Sequence, residues 1–491
     1  MTAPAQVAAP GRGSTLGWAA AGSAVSAVLV ALLWLGPLVP LLVLAVAGAV
    51  LLAARAPQLL VALALGTVLL STPLQALLGG AASSLDDAAL LFCGLALPVR
   101  RLVTTGRLVW LPGGAWFAGF LAFGLLSGLQ QEVPTSILAQ GAFAALKGVL
   151  FAFAVAQVRW TVDHLRTAVR WGGVLVVVIA VSGLVNLALP GVWANLLGTT
   201  AETGPFGLPT LTGIFARPGA FSRLCGVLAL AALAHHLVVR RSRIALGAFA
   251  TCAALAVLTL QVKSILGLIA TVALMLLPFL RGGRALRALA FLPLLALVAL
   301  PPLLQLVTSD VDRYVVADSA RSLLTQGGAV VATATFPFGA GFGRFGSSTA
   351  ADNYSPWYYQ LGFADRFGLG PAADSGQFLN DTQWPALYGE AGWLGAACFA
   401  AGLLAMAVYL LRGLRRETVP HLRWLRLAGA GWILLLVAES VAAPVFVSAP
   451  AYPFVFIAAG LVAASTSAGA GARGTGGLAD DVNPARATPR R

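Results

Sequence analysis

The sequence predicts an all-α polytopic membrane protein with about 14 transmembrane helices and a large external loop of short helices between the eleventh and twelfth. Three observations predict this class. The 491 residues are 59% hydrophobic and only 10% charged, with a mean hydropathy of +0.88, whereas a soluble protein of this size needs far more polar surface. The apolar segments are close to the length that crosses a bilayer. Arginines also alternate between successive connections, as in multi-pass proteins.

The apolar segments give the predicted spans in chain order, with boundaries uncertain by several residues. The spans are 17–35, 38–54, 58–79, 86–99, 112–130, 136–158, 166–189, 217–239, 243–261, 263–280, 285–306, 385–412, 424–445 and 447–465. We interpret 1–16 as a disordered cytoplasmic N-terminus, 17–306 as transmembrane helices 1–11, 307–384 as an external loop domain, 385–465 as transmembrane helices 12–14, and 466–491 as a disordered cytoplasmic tail. Helical spacing of apolar residues predicts a short external helix over 310–324.

The arginines predict the orientation. They fill every second connection, as in Arg100-Arg101 and Arg240-Arg241, while the intervening connections are poor in arginine and carry acids such as Asp86-Asp87. Short arginine-rich loops stay in the cytoplasm, so both termini are expected to be cytoplasmic in a bacterial inner membrane. The formal charge of +14 is spread over these loops and not gathered on one soluble domain, which argues against nucleic acid as a partner.

Two familiar motifs do not carry their usual function here. Gly341-Phe-Gly343-Arg-Phe-Gly346 has the dinucleotide-binding spacing, but that function requires a preceding strand and a following helix. Here the glycines lie in the external loop, and a turn is the better interpretation. Asp310-Val-Asp312 resembles a metal-binding pair for nucleotide sugars, which are cytoplasmic, whereas this pair is predicted outside. The histidines all fall on the predicted cytoplasmic side, so we predict no metal and no cofactor.

Three cations are predicted at the outer membrane surface. Arg217 and Arg223 are six residues apart and would not share a face of a straight helix. If Pro218 opens that helix, Arg217 lies just before it and can turn towards Arg223. Lys263 lies at the next outer hairpin. Converging cations suit a lipid-linked diphosphate; alternatively, Arg217 and Lys263 only extend to lipid headgroups.

Two further charged residues fall inside predicted spans. Lys147 lies in the sixth span and Glu439 in the thirteenth. A charge at mid-membrane costs about 2.5–3.5 kcal/mol on insertion scales, so each needs a partner or a function. We expect an internal ion pair between them.

Aromatic residues cluster in the external loop region. Trp357, Tyr358 and Trp384 are candidate glycan-binding residues, with Tyr354 and Tyr359 nearby. Aromatic faces stack on sugar rings, but tryptophan and tyrosine are also enriched where proteins cross membrane surfaces. Both interpretations stay open.

Residues from about 205 to 410 resemble the O-antigen ligase and polymerase superfamily of integral-membrane glycosyltransferases. The resemblance depends on the order and spacing of several segments around one external loop. These segments are Arg217-Pro-Gly-Ala-Phe, Lys263-Ser-Ile-Leu-Gly267, Asp318-Ser-Ala-Arg321, Pro337-Phe-Gly-Ala-Gly341-Phe-Gly343 and Asp381-Thr-Gln-Trp-Pro-Ala-Leu-Tyr-Gly-Glu390-Ala-Gly392.

The resemblance implies a reaction and its partners. A glycan on a polyprenyl (undecaprenyl-type) diphosphate carrier is transferred at the outer face to a hydroxyl of an acceptor glycan. No nucleotide is needed because the lipid diphosphate is the leaving group. The resemblance implies diphosphate-binding roles for Arg217 and Arg321, a basic position at Lys263, and a catalytic group of Asp381, Arg321 and Glu390.

One position departs from the family pattern. Ligases commonly carry a histidine nine residues before the glutamate of the closing segment, and here that position is Asp381. An aspartate with an ordinary pKa of about 3.9 is a weak base, so the resemblance favours a polymerase, or transfer to an acceptor other than lipid A. Alternatively, Asp381 caps the following helix.

Two other functions remain open. A membrane transporter of a small anion or envelope precursor would also carry charges within its spans, although such proteins often show internal repeats and no repeat is visible here. A non-catalytic scaffold of the cell envelope would tolerate single changes at Asp381 and at the arginines.

Overall fold

A computed structural model describes residues 39–199, 209–279, 319–372 and 374–474. Within these ranges the chain is helical and contains no β-strand. Two predicted spans (17–35 and 285–306), the N-terminal tail and the pair Asp310 and Asp312 lie outside the described residues. Residues 1–60 and 61–491 form two compact units.

The helix boundaries follow the hydropathy pattern closely. The first part contains α1 (Val39–Arg55), α2 (Pro57–Leu69), α3 (Ser71–Leu78), α4 (Leu85–Thr105), α5 (Gly114–Gln130), α6 (Thr135–Ala156), α7 (Val162–Ala188) and α8 (Pro190–Leu197). The second part contains α9 (Pro218–Val238), α10 (Arg243–Leu258), α11 (Val262–Leu276), α12 (Ala320–Ala334), α13 (Ser348–Asp352), α14 (Pro356–Gln360), α15 (Trp384–Leu414), α16 (Pro420–Ser440) and α17 (Tyr452–Gly474).

Several of these helices are long and apolar enough to cross a membrane. Six candidates meet both criteria among the described residues, and α2 with α3 would make a seventh as a bent pair. This is consistent with a multi-pass membrane protein. The other apolar helices are 10–17 residues long, so the full set of 14 spans stays a prediction.

The predicted span 58–79 is broken in the middle. The axes of α2 and α3 differ by 75°, and the residue between them, Leu70, has φ −105° and ψ 17°. Pro73 follows in the first turn of α3, where a proline is tolerated because its missing N–H has no partner within the helix.

The long helix α15 connects the bundle to the loop region. It packs against α5, α12 and α16. Around it, α6 packs against α4 and α17, α9 against α10 and α16, and α11 against α16. The start of α15 therefore lies where the loop region and the helix bundle meet.

The loop region (residues 319–372 and 374–383) has its own hydrophobic core. Tyr358, Phe345 and Leu324 are all fully buried in it. The end of the predicted helix over 310–324 lies in α12, which begins at Ala320 after the Ser319 hydroxyl accepts from the Ser322 N–H at 3.2 Å. Residues 310–318 lie outside the described ranges.

The last helix is longer than the sequence predicts. In the structure α17 extends to Gly474, beyond the predicted end of the last span at residue 465. The disordered tail stays a prediction, since residues 475–491 lie outside the described ranges.

Candidate functional site

The first two predicted cations lie at the start of α9. Arg217 is the N-cap, with extended backbone (φ −133°, ψ 140°), and Pro218 follows in the first helical turn. This confirms that Pro218 opens the helix with Arg217 just before it. Arg217 is exposed, whereas Arg223 is buried with 7% exposure, and the two lie within electrostatic range of each other.

Lys263, in the first turn of α11, lies near charged residues of both α9 and the loop region. Its Nζ donates to the carbonyl oxygen of Ala442 at 2.9 Å, just beyond the end of α16. The ammonium group is also within electrostatic range of Arg223, Arg321 and Asp381. The fold therefore gathers cations that are far apart in sequence.

Arg321 and Asp381 form an ion pair through Nη2 and Oδ2. Their side chains are 19% and 27% exposed, so the pair lies at the edge of the protein interior. The capping alternative for Asp381 is wrong, because α15 begins at Trp384 with Gln383 as its N-cap. Asp381 therefore contributes its charge to Arg321 and not to the helix end.

Glu439 also belongs to this site, although the sequence predicts an ion pair between Glu439 and Lys147. The expected pair with Lys147 is wrong, since Lys147 donates to Asp87 at 2.8 Å and lies 4.9 Å from the ring centre of Tyr452. Glu439 is fully buried near the end of α16, within electrostatic range of Arg223 and Lys263. Hydropathy places this charge inside a span, where it needs a partner, but it does not identify the partner residue.

We call these six residues the cationic cluster: Arg217, Arg223, Lys263, Arg321, Asp381 and Glu439. Its four cations and two carboxylates leave a formal charge of +2.

The cationic cluster also has unused hydrogen-bonding capacity. Within the described part of the chain, Arg223 Nε and both carboxylate oxygens of Glu439 are buried without a hydrogen bond. The buried hydroxyl of Ser264 lies beside Glu439, but it makes no hydrogen bond of ordinary geometry there. Buried polar atoms are normally paired, and the excess positive charge of the cationic cluster suits an anionic ligand.

Glu390 lies against a different structure, the glycine loop (residues 339–346). Its Oε1 accepts from the backbone N–H of Gly343 at 2.9 Å and of Phe345 at 3.3 Å, and from the Ser347 hydroxyl. Glu390 is only 2% exposed. Its carboxylate thus holds the loop in shape, and its expected catalytic role stays a prediction.

The glycine loop packs against a break in α15. Gly392 interrupts the helix with φ 72°, which releases carbonyl groups from the helical pattern. Ala340 N–H donates to the Gly389 carbonyl at 2.9 Å, and Gly341 N–H donates to the Glu390 carbonyl at 2.8 Å. These bonds fix the loop to the same stretch of chain that carries Asp381.

The glycines of the loop have the backbone of a turn. Gly341, Gly343 and Gly346 have φ of 92°, 76° and 69°, a region that favours residues without a Cβ. With no preceding strand in the described chain, this confirms the turn interpretation of the G-x-G-x-x-G spacing.

The three candidate glycan-binding aromatics occupy different positions. Tyr358 is fully buried, stacks on Phe363, and accepts from the Gly346 N–H at 2.8 Å, so a sugar-stacking role does not fit its position. Burial raises the pKa of its phenol. Trp357 is half-buried on the same core, and Trp384 donates to the Ser440 hydroxyl at 2.9 Å beside the cationic cluster.

The described residues contain no group of three or more His, Cys, Asp or Glu side chains arranged to hold a metal ion. No protein-family model matches the sequence, and no curated protein matches it. The geometry of the cationic cluster is therefore the main observation bearing on function.

Proposed function

We propose that this protein is a membrane glycosyltransferase of the O-antigen ligase and polymerase type. It transfers a glycan from a polyprenyl-diphosphate carrier to a hydroxyl of an acceptor glycan, in polysaccharide polymerisation or ligation. The observation that carries the proposal is the cationic cluster, with its net positive charge and unpaired buried donor.

The cationic cluster suits a diphosphate attached to a lipid. Planar guanidinium groups bind phosphate oxygens in pairs, and three of the four cations are arginines. Arg217 is exposed and Arg223 buried, so the cluster has cations both at the surface and in the interior. Preorganised cations commonly provide the largest catalytic term where charge develops on a leaving group.

We infer the order of the reaction steps from the Arg321–Asp381 ion pair. When the diphosphate binds, its oxygens compete for Arg321 and release the Asp381 carboxylate. Asp381 then accepts the proton of the acceptor hydroxyl while that oxygen attacks the anomeric carbon. The bond between this carbon and the diphosphate oxygen breaks, and the lipid diphosphate leaves with the bonding electrons.

The position of the arginine-rich connections supports an outer-face site in a bacterial inner membrane. Arg217 and Lys263 lie at the starts of α9 and α11. The basic connection after α9, which contains Arg240, lies at the other end of that helix. With that end in the cytoplasm, the cationic cluster faces outward, where a flipped lipid-linked donor is found.

The test is the replacement of Arg321 by alanine in the full-length protein. We expect at least about a 100-fold loss of glycan transfer, the size seen when one transition-state donor is removed. The measurements are the chain length of the surface glycan and the accumulation of its lipid-linked donor.

Arg366 provides the matched control, since it is an exposed arginine of the same loop region. Arg366→Ala should leave chain length unchanged. Normal chain length in Arg321→Ala, at normal protein level, would contradict the proposal.

A transporter of a small anion or envelope precursor is the alternative. The broken helices favour it, since α2 and α3 meet at 75° and Gly392 interrupts α15, and transporters often bind solutes at such breaks. Uptake of a labelled anion by proteoliposomes that contain no lipid-linked glycan would favour this alternative. The break at Gly392, however, is already occupied by the glycine loop.

A further inference from the structure

A second cationic site lies at the opposite end of α15 from the cationic cluster. A cavity of about 520 Å³ opens there between α15 and α16. Its lining contains apolar residues, three arginines and one acid; the charged members are Arg412, Arg416, Arg426 and Glu417. We call this the basic cavity.

Arg426 forms the fixed wall of the basic cavity. It is 5% exposed, its Nη1 donates to the Tyr409 carbonyl at 3.3 Å, and its guanidinium lies 5.2 Å from the centre of the Tyr409 ring. Its Nε pairs with Glu417 at 3.4 Å. The charge of Arg426 is therefore held in place and largely balanced by Glu417.

Arg412 and Arg416 provide the free charge of the basic cavity. Both are exposed, and neither forms an ion pair in the part of the chain that the structure describes. Arg412 lies in the last turn of α15 and Arg416 lies just past its end at Leu414, and both line the cavity. An anion that binds here can therefore pair with two cations without breaking an existing ion pair.

The apolar part of the wall continues along α15 away from these arginines. Leu404, Val408 and Leu411 have the i, i+4, i+7 spacing of one helix face, and Leu404 is 65% exposed. Because α15 is a candidate membrane span, this face would meet lipid chains, while Arg412 near its end would meet headgroups.

We propose that the basic cavity binds an anionic phospholipid. Arg412 and Arg416 hold the headgroup phosphate, and one acyl chain lies along Val408 and Leu404. Basic pockets between transmembrane helices are suited to such headgroups. A soluble phosphate ester would use only the two arginines, whereas a phospholipid uses the apolar wall as well. This proposal does not depend on the glycosyltransferase function.

The experiment measures phosphatidylglycerol binding to the full-length protein in detergent by native mass spectrometry. The double variant Arg412→Ala/Arg416→Ala should bind phosphatidylglycerol about 30-fold more weakly. The control Arg240→Ala/Arg415→Ala removes two exposed arginines outside the basic cavity, so it loses the same net charge. It should stay within about twofold of the unchanged protein.

A third variant tests the apolar wall. Val408→Phe leaves the charge unchanged and fills part of the basic cavity, so it should also weaken phosphatidylglycerol binding. The proposal would be overturned if the unchanged protein bound phosphatidylcholine as tightly as phosphatidylglycerol. It would also be overturned if the control variant Arg240→Ala/Arg415→Ala lost as much affinity as Arg412→Ala/Arg416→Ala. Competition by glycerol phosphate at the same concentration as the lipid, with no effect of Val408→Phe, would identify a soluble phosphate site instead.

Discussion

Glu390 and Asp381 are nine residues apart in one segment, but their surroundings differ. Glu390 is 2% exposed and accepts from two backbone N–H groups of the glycine loop and from the Ser347 hydroxyl. Asp381 is 27% exposed, and its side chain forms an ion pair with Arg321 in the cationic cluster. A buried carboxylate held by several donors stabilises a fold, whereas a partly exposed carboxylate in one ion pair is more accessible to a ligand that competes for its partner.

The two carboxylates therefore lie in different kinds of surroundings. The glycine loop around Glu390 is fixed by hydrogen bonds to Glu390 and to its backbone carbonyl, and the loop glycines approach neighbouring backbone closely. The cationic cluster keeps a net positive charge and unpaired buried atoms. Buried polar groups left unpaired cost free energy, so the cationic cluster is the less well satisfied of the two regions.

The largest effect on stability is expected from Glu390→Ala. It leaves three donors without an acceptor in a buried place, which should lower the free energy of unfolding by at least about 3 kcal/mol. Thermal unfolding in detergent measures this, with the exposed Asp365→Ala as control, expected within about 0.5 kcal/mol of the unchanged protein. An unchanged melting temperature in Glu390→Ala would remove the structural half of the comparison.

A smaller loss is expected from Gly141→Ala on α6. A Cβ at Gly141 would lie 2.4 Å from the backbone nitrogen of Gly343, so the glycine loop would have to move away. Overpacking of this kind costs about 1–3 kcal/mol.

The control for this change is Gly173→Ala on α7, where no atom lies within 4 Å of the added carbon. Alanine has the higher helix propensity, so this control should be neutral or slightly stabilising, by up to about 1 kcal/mol. The same melting temperature in both variants would show that the loop does not depend on its close contact with α6.

The sequence predicted local features of this molecule well. Hydropathy placed α5, α6 and α9 within a few residues of their observed ends, because an apolar run of fixed length is a local property. The role of Pro218 followed from the fixed backbone of proline. The glycine turn followed from the absence of a flanking strand pattern.

Partner choice was not visible in the sequence. Lys147 pairs with Asp87 and not with Glu439, because helix packing decides which buried charges meet. For the same reason the sequence does not identify Glu439 as a member of the cationic cluster, and it predicts glycan binding for Tyr358, which is fully buried. A buried acid near the end of a span, Glu439, was the one signal available, since such residues are retained only with a partner or a function.

The smallest effect on stability, and the sharpest test of the comparison, is expected from Asp381→Asn. Because the Arg321–Asp381 pair is partly exposed, losing its charge should change the free energy of unfolding by about 1 kcal/mol or less. Glycan transfer should nevertheless fall by about 100-fold or more, since asparagine cannot accept the proton. Glu390→Gln keeps the size of its side chain in the same way, yet should lower the melting temperature clearly. If Asp381→Asn instead lowered the free energy of unfolding clearly and kept glycan transfer, the Asp381 carboxylate would be structural and this assignment of roles would be wrong.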